Sequence, residues 1–136
     1  MKLSSIPQYP KISLREERRP IFKAQKGSAT DKDELIMRHL NFVIFRIYKK
    51  AFPSYVKRFG EDLFADAVFI LYDKIKTYDL KYKDRKGILK PVRFASYIWK
   101  RIDGFILDSL KVELRRDRQR LHPDWERFEV NNNIRG

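Results

Sequence analysis

FASYIWKRIDGFILDSLK, residues 94–111, is the segment from which the fold of this chain can be inferred most directly. Its apolar residues recur at steps of three and four, the spacing of one buried face of an α-helix; they are Phe94, Ile98, Ile102, Phe105, Ile106 and Leu110. The flank of the same helix carries Arg93, Tyr97, Lys100 and Arg101. Cations beside an aromatic ring suit a phosphate backbone with unstacked bases, so this flank predicts a contact with nucleic acid.

A short leading helix and a longer second helix are predicted upstream. The leading helix covers residues 13–26, with Ser13 as N-cap and Glu16 three residues later, as in a capping box. Asp31 is expected to cap the second helix, because a short carboxylate accepts from the free backbone N–H groups of a first turn. Pro53 is expected to end or bend that helix.

A third helix is predicted over residues 61–78, after a break at Gly60. Glu61 and Asp62 would then stand at its N-terminus, where the helix dipole favours negative charge. The following residues 81–91, KYKDRKGILKP, break the periodicity and predict a basic loop. No strand pattern is persuasive, so the predicted class is all-α, with three main helices and one short leading helix.

The composition indicates a basic protein that binds a negatively charged partner. The 136 residues are 43% hydrophobic and carry a net charge of +13, so we expect one core and a polyanionic partner, nucleic acid ahead of a membrane surface. No apolar run approaches a membrane span, and the first residues lack a signal peptide. The chain has no cysteine and two histidines, so we expect no metal site, no cofactor and a cytoplasmic location.

The chain is expected to divide into three parts. Residues 1–30 form an N-terminal arm and the leading helix, residues 31–118 form the helical domain, and residues 119–136 form a polar tail. The tail contains Trp125 and Phe128, which could dock on a partner or cover the core of the domain. The sequence leaves both roles open.

Four segments resemble the bacterial sigma factors, the promoter-recognition subunits of RNA polymerase, in the order and spacing of sigma regions 1.2 and 2. They are ISLREERRPIFKAQKG (12–27), DELIMRHLNFVIFRIYKKA (33–51), EDLFADAVFILYDKIKTYD (61–79) and RFASYIWKRIDGFILDSLK (93–111). The last segment is most similar to the alternative flagellar, sporulation and stress sigma factors. Nothing after residue 115 resembles sigma regions 3 or 4, so the resemblance implies a factor that cannot read a −35 element alone and needs a second subunit or an activator for upstream contacts.

The resemblance implies a sigma region 2-like helical bundle with two binding surfaces. One would bind the clamp of the largest subunit of the polymerase core, and it is expected to use Asp62, Ala65, Asp66, Phe69 and Asp73. The other would bind the non-template strand of a −10-like promoter DNA element. The residues expected there, on the grounds of the resemblance and of the local positive charge, are Lys81, Lys83, Arg85, Lys86, Lys90, Arg93, Phe94, Tyr97, Lys100 and Arg101. Ala65 and Val68 stand where the family often has Gln and Asn, which alters the expected clamp contact.

Each expectation has a simpler structural alternative. The basic loop could be a solvated surface, and Phe94 heads the apolar stripe, which favours the core over DNA. Tyr97 could be an ordinary half-buried residue. The helix dipole accounts for Glu61 and Asp62, although it leaves Asp66 and Asp73 unexplained.

Two further residues of the last helix have open interpretations. Trp99 lies opposite Tyr97 by helical angle, which favours packing or a polymerase contact. Gly104 fits close approach either to DNA or to a neighbouring helix.

Other functional classes also remain in view. No nucleophile–base pair is evident. Asp103 and Asp108 could suggest a metal-dependent nuclease, but a five-residue step places them half a turn or more apart on a helix. We therefore do not expect an enzyme. A general nucleic-acid-binding module would need no polymerase. A protein that occupies the sigma site to inhibit or redirect polymerase would bind the polymerase without opening DNA.

Overall fold

The computed structural model describes residues 9–121, which form four α-helices and no strand. They are α1 (Leu14–Gln25), α2 (Ala29–Lys50), α3 (Pro53–Thr77) and α4 (Phe94–Leu121). The all-α class and the arrangement of three long helices with one short leading helix are therefore confirmed. Helix α2 packs against the other three helices, and α3 also packs against α4 and α1. Trp125 and Phe128 lie outside the described residues.

The predicted N-cap is right for α1 and wrong for α2. The hydroxyl of Ser13 accepts a hydrogen bond from the backbone N–H of Glu16 over 3.1 Å, so Ser13 is the N-cap as predicted. The Glu16 carboxylate accepts from the same hydroxyl, and not from the backbone N–H that a full capping box would use. In α2, the N-cap is Ser28, whose hydroxyl oxygen accepts from the backbone N–H of Asp31 over 3.3 Å. Ser28 therefore starts α2 three residues after the end of α1.

Helix α3 begins eight residues earlier than predicted. Helix α2 ends at Lys50, just before Pro53, in line with the expected end of that helix. Pro53 also starts α3, because it occupies the first turn, where a missing N–H breaks no hydrogen bond. Gly60 is buried within α3 and does not interrupt it. Glu61 and Asp62 consequently lie beyond the second turn, where the dipole has little influence, so the dipole no longer explains their charge.

The core is built from the predicted apolar faces. Ile98, Ile102, Ile106 and Leu110 of α4 are all buried, together with Phe94, whose side chain is 1% exposed. They pack in one cluster with buried aliphatic side chains of the other three helices. The prediction that Phe94 binds DNA is therefore wrong, because a ring enclosed by the core cannot contact a base.

Two polar contacts lie within or beside this core. Arg46 of α2 makes a bidentate ion pair with Asp103 of α4, and both side chains are largely buried; the Nε–Oδ1 distance is 2.8 Å. His39 donates from Nδ1 to the carbonyl of Leu35 over 2.8 Å. Burial lowers the pKa of His39 by disfavouring its charged form, although the bond to Leu35 opposes this shift.

Candidate nucleic-acid interface

The basic loop between α3 and α4 is a short ordered turn. The backbone N–H of Lys90 donates to the carbonyl of Tyr82, and that of Asp84 donates to the carbonyl of Ile88, both over 2.9 Å. Lys83 and Leu89 form an isolated antiparallel bridge between these bonds. The segment 82–90, called the basic hairpin below, therefore has a defined backbone.

Asp84 organises the tip of the basic hairpin. One of its carboxylate oxygens accepts hydrogen bonds from the backbone N–H groups of Lys86 and Ile88, over 2.9 and 3.0 Å. Gly87 completes the turn with a φ of +78°, which an L side chain rarely adopts. Asp84 is the only acidic residue in residues 81–101, and its charge faces backbone amides.

Helix α1 holds the segment that enters the hairpin. The side-chain amide of Gln25 donates to the carbonyls of Ile75 and Tyr78, over 3.0 and 2.6 Å, at the end of α3. The guanidinium of Arg18 donates to the carbonyl of Leu80 over 2.7 Å. These bonds satisfy carbonyl groups that the end of α3 leaves without helical partners.

Helix α1 also holds the segment that leaves the hairpin. A carboxylate oxygen of the buried Glu17 accepts from the backbone N–H of Phe94 over 2.6 Å and so caps the N-terminus of α4. The guanidinium of Arg93 donates to the carbonyl of Ile12 over 3.1 Å. Sequence reasoning missed Glu17 as a cap, although a carboxylate in line with Ile21 and the apolar face of α1 was the available signal.

The candidate DNA-binding cations project from this frame. All of them except Arg93 are exposed: Lys81, Lys83, Arg85, Lys86, Lys90, Lys100 and Arg101. Arg93 is half-buried because its guanidinium reaches toward Ile12. A cluster of cations on a fixed backbone suits a phosphate chain, whose binding weakens steeply with added salt.

Tyr97 lies at the edge of this surface. Its ring makes an edge-to-face contact with Tyr78, with centroids 5.3 Å apart, and its hydroxyl forms a 2.7 Å hydrogen bond with the hydroxyl of Thr77. The ammonium of Lys74 stands 5.3 Å from the ring centroid. The ring is therefore half-buried, and a base that stacks on the face beneath Lys74 must displace the ammonium group of this lysine.

A continuous stripe of α4 follows from Tyr97. Lys100, Arg101 and Gly104 lie three, four and seven residues further on, so they share one face of the helix. A Cβ atom added to Gly104 would meet nothing within 4 Å. Close approach of a neighbouring helix therefore does not explain this glycine.

The acidic surface lies on α3. Asp62, Ala65, Asp66, Phe69 and Asp73 are all exposed, and the side chain of Phe69 is 71% exposed. We call these five residues the acidic face.

Two depressions flank the acidic face. Asp62 and Asp66 border a groove of about 210 Å³ between α3 and α4. Ala65 and Phe69 line a shallow depression of about 400 Å³ on the other side. The acidic face therefore combines negative charge with an apolar edge, as a basic partner with apolar anchors would require.

No protein-family model matches the chain, and neither a curated protein nor a solved structure matches it significantly. Within residues 9–121, no group of three or more histidine, aspartate or glutamate side chains is arranged to hold a metal ion. None of the helices described above combines the length and apolarity needed to cross a membrane.

Proposed function

We propose that this protein is a sigma-like transcription initiation factor that acts in the cytoplasm of a bacterium, either as a cellular or as a bacteriophage protein. It binds the clamp of the polymerase core through the acidic face. It holds the non-template strand of a −10-like element with the basic hairpin and the first turns of α4.

The observation that carries this proposal is the construction of the basic hairpin. Its tip is organised by Asp84, and α1 holds the chain on both sides of it through Gln25 and Glu17. A solvated linker needs no such support. Ordering a flexible segment on binding costs about 1–2 kcal/mol per residue for the backbone, so a hairpin ordered beforehand spares much of that cost.

The acidic face supports the polymerase half of the proposal. Its carboxylates lie beyond the first two turns of α3, so the dipole at the helix N-terminus does not explain them. They form a negative surface on a chain whose net charge is +13. Along α3, the acidic face extends from Asp62, about 22 Å from Thr77, to Asp73, about 6 Å from it. A basic partner could therefore bind the Asp62 end of the acidic face while DNA follows the hairpin beyond the end of α3.

Strand opening would rely on binding energy alone. Stacking of one unpaired base on Tyr97 stabilises the open form by about 1–3 kcal/mol, and extruding a base from a duplex costs a few kcal/mol. The exposed cations of the hairpin add phosphate contacts to this balance. A few such contacts on the open strand offset the cost at an A·T step, so opening needs no nucleotide hydrolysis.

A ternary complex tests the proposal. The purified chain is mixed with core polymerase and a fluorescent fork-junction DNA that carries an A·T-rich −10-like element. We expect Tyr97→Ala and Lys100→Ala to abolish opening while polymerase binding persists, and Tyr97→Ala to weaken fork binding about tenfold. Tyr97→Phe is the matched control, because it keeps the ring and loses only the bond to Thr77.

Two outcomes would contradict the proposal. Equal opening by the parent and Tyr97→Ala would remove the stacking mechanism. Binding to polymerase without any opening of DNA by the parent would instead support a protein that occupies the sigma site to inhibit or redirect the enzyme.

A further inference from the structure

A row of aromatic rings and cations extends beyond both surfaces of the proposed function and shares only Lys100 with the DNA-binding surface. The side chain of Phe45 on α2 is 57% exposed, and that of Trp99 on α4 is 38% exposed. The guanidinium of Arg46 stands 6.0 Å from the Phe45 centroid and 5.6 Å from the Trp99 centroid. The ammonium of Lys49 is 5.7 Å from Phe45, and that of Lys100 is 5.6 Å from Trp99. These five residues are called the aromatic row.

The core fixes the two helices that carry the row. Arg46 is held by both oxygens of Asp103, so its guanidinium cannot swing away from the rings without breaking a largely buried ion pair. Because this one group lies within 6.0 Å of both centroids, the rings are at most twice that distance apart. One extended ligand can therefore contact Phe45 and Trp99 together.

The surrounding charge selects the class of ligand. Residues 35–60 contain no acidic residue and six basic ones, which are Arg38, Arg46, Lys49, Lys50, Lys57 and Arg58. The charge of Arg46 is balanced by Asp103, whereas Lys49 and Lys100 are exposed. Exposed rings alternating with exposed ammonium groups match a chain of phosphates that carries flat bases.

We propose that the aromatic row binds single-stranded DNA by stacking bases on Phe45 and Trp99. Lys100 belongs both to the row and to the surface that follows the hairpin, so the row continues that surface across α4 onto α2. The inference rests on the DNA-binding half of the proposed function and does not need the polymerase half. It assigns Trp99, which faces away from Tyr97, a stacking role of its own.

Tryptophan fluorescence tests the inference directly. The chain has two tryptophans, and Trp125→Phe leaves Trp99 as the sole reporter. We expect oligo(dT) to quench this fluorescence in parallel with the anisotropy rise of a labelled oligonucleotide. Heparin, which is a polyanion without bases, and a poly-glutamate peptide serve as comparison probes. If heparin quenches the fluorescence as strongly as oligo(dT), the inference is overturned. If the poly-glutamate peptide does so, the inference is also overturned, and the row is assigned to an acidic protein segment.

Phe45→Ala supplies the decisive variant. In the Trp125→Phe background, we expect it to weaken oligo(dT) binding at least about fivefold, the loss of one stacked base. Phe22→Ala is the matched control, because Phe22 is also half exposed and has Lys26 at 5.5 Å, but lies on α1. Equal affinities for Phe45→Ala and Phe22→Ala would overturn the inference. Circular dichroism verifies that both variants keep the helical fold.

A hairpin variant separates this inference from the proposed function. If Lys83→Glu abolishes oligonucleotide binding while Phe45→Ala has no effect and Trp99 is not quenched, the inference fails and the hairpin surface stands. If Phe45→Ala weakens binding while Lys83→Glu has no effect, the inference stands and the hairpin surface fails.

Discussion

Glu17 shows how one residue can connect distant parts of this chain. Its carboxylate is buried, and it accepts the first free backbone N–H of a helix that begins 77 residues later. The same helix α1 supplies Gln25 to the carbonyl groups at the end of α3. The leading helix therefore holds the chain on both sides of the basic hairpin.

Removal of the Glu17 carboxylate should destabilise the whole bundle. Glu17→Ala leaves the N–H of Phe94 buried without an acceptor, which costs about 1–3 kcal/mol of unfolding free energy. Urea denaturation followed by circular dichroism measures this loss. Glu16→Ala is the control, because its exposed carboxylate accepts only from the hydroxyl of Ser13, and it should cost about 0.5 kcal/mol. Equal midpoints for the two variants would show that Glu17 does not act as a cap.

Gly104 gives a prediction in which stability and binding change in opposite directions. Gly104→Ala should raise the unfolding free energy by about 0.5–1 kcal/mol, because alanine favours a helix and the new methyl meets no atom within 4 Å. The same methyl should weaken binding of fork-junction DNA if a strand approaches the backbone there. Thermal unfolding and fluorescence anisotropy measure the two quantities. A variant that gains stability and binds DNA as the parent does would remove Gly104 from the interface.

Two elements depart from their local signals for different reasons. Helix α3 runs through Gly60 because burial of its flanking residues, including Leu63 and Phe64, outweighs the roughly 1 kcal/mol that glycine costs a helix. The loop after α3 is ordered instead of irregular because Asp84 accepts from two backbone amides. Asp84 followed by Gly87 was a local turn signal that a basic composition obscured.

Asp84 distinguishes a preorganised hairpin from a simple charge cluster. Asp84→Asn keeps an acceptor oxygen and removes one negative charge, so it should raise affinity for single-stranded DNA by at most about fivefold, a gain of up to about 1 kcal/mol. Asp84→Ala removes the same charge and also the two backbone bonds, so it should bind more weakly than Asp84→Asn. Anisotropy titrations at several salt concentrations provide the comparison. Equal affinities for the two variants would mean that the turn contributes nothing to binding.

The whole molecule carries its charge unevenly. A net charge of +13 coexists with an exposed acidic face on α3, while residues 35–60 have no acidic residue at all. Such separation lets one surface attract a basic protein while other surfaces attract a polyanion. It also predicts that salt weakens DNA binding more steeply than it weakens any contact with an apolar component, such as that of Phe69.

Charge reversal on the acidic face should separate the two partners. We expect Asp66→Lys to weaken binding to core polymerase at least about tenfold, since like charges across an interface repel, and to leave the affinity for single-stranded DNA unreduced. Asp108→Lys is the control, because it makes the same change in net charge at an exposed position of α4. Binding of each variant to surface-immobilised core polymerase measures the affinity for polymerase. A general nucleic-acid-binding module predicts instead that Asp66→Lys and Asp108→Lys behave alike in every assay.

The sequence by itself determined the helical class of this protein, the order of its helices and their buried faces, but not the start of α3 or the cap of α2. Helical periodicity and the Ser13 cap are local properties, so the all-α class, the order of the helices and the placement of Ile98, Ile102 and Ile106 in the core could be read without a structure. The exposure of the cationic and acidic side chains of the helices could also be predicted, because the polar face of an amphipathic helix faces solvent.

Only the tertiary structure decided which side chains meet across the bundle. Arg46 and Asp103 are separated by 57 residues, and Glu17 and the N–H of Phe94 by 77. No periodicity links such pairs, because their contact depends on how three helices rotate and slide when their apolar faces pack together. The cap on α4 and the position of Arg46 between Phe45 and Trp99 follow from that packing, since burial of the shared core brings α1, α2 and α4 together.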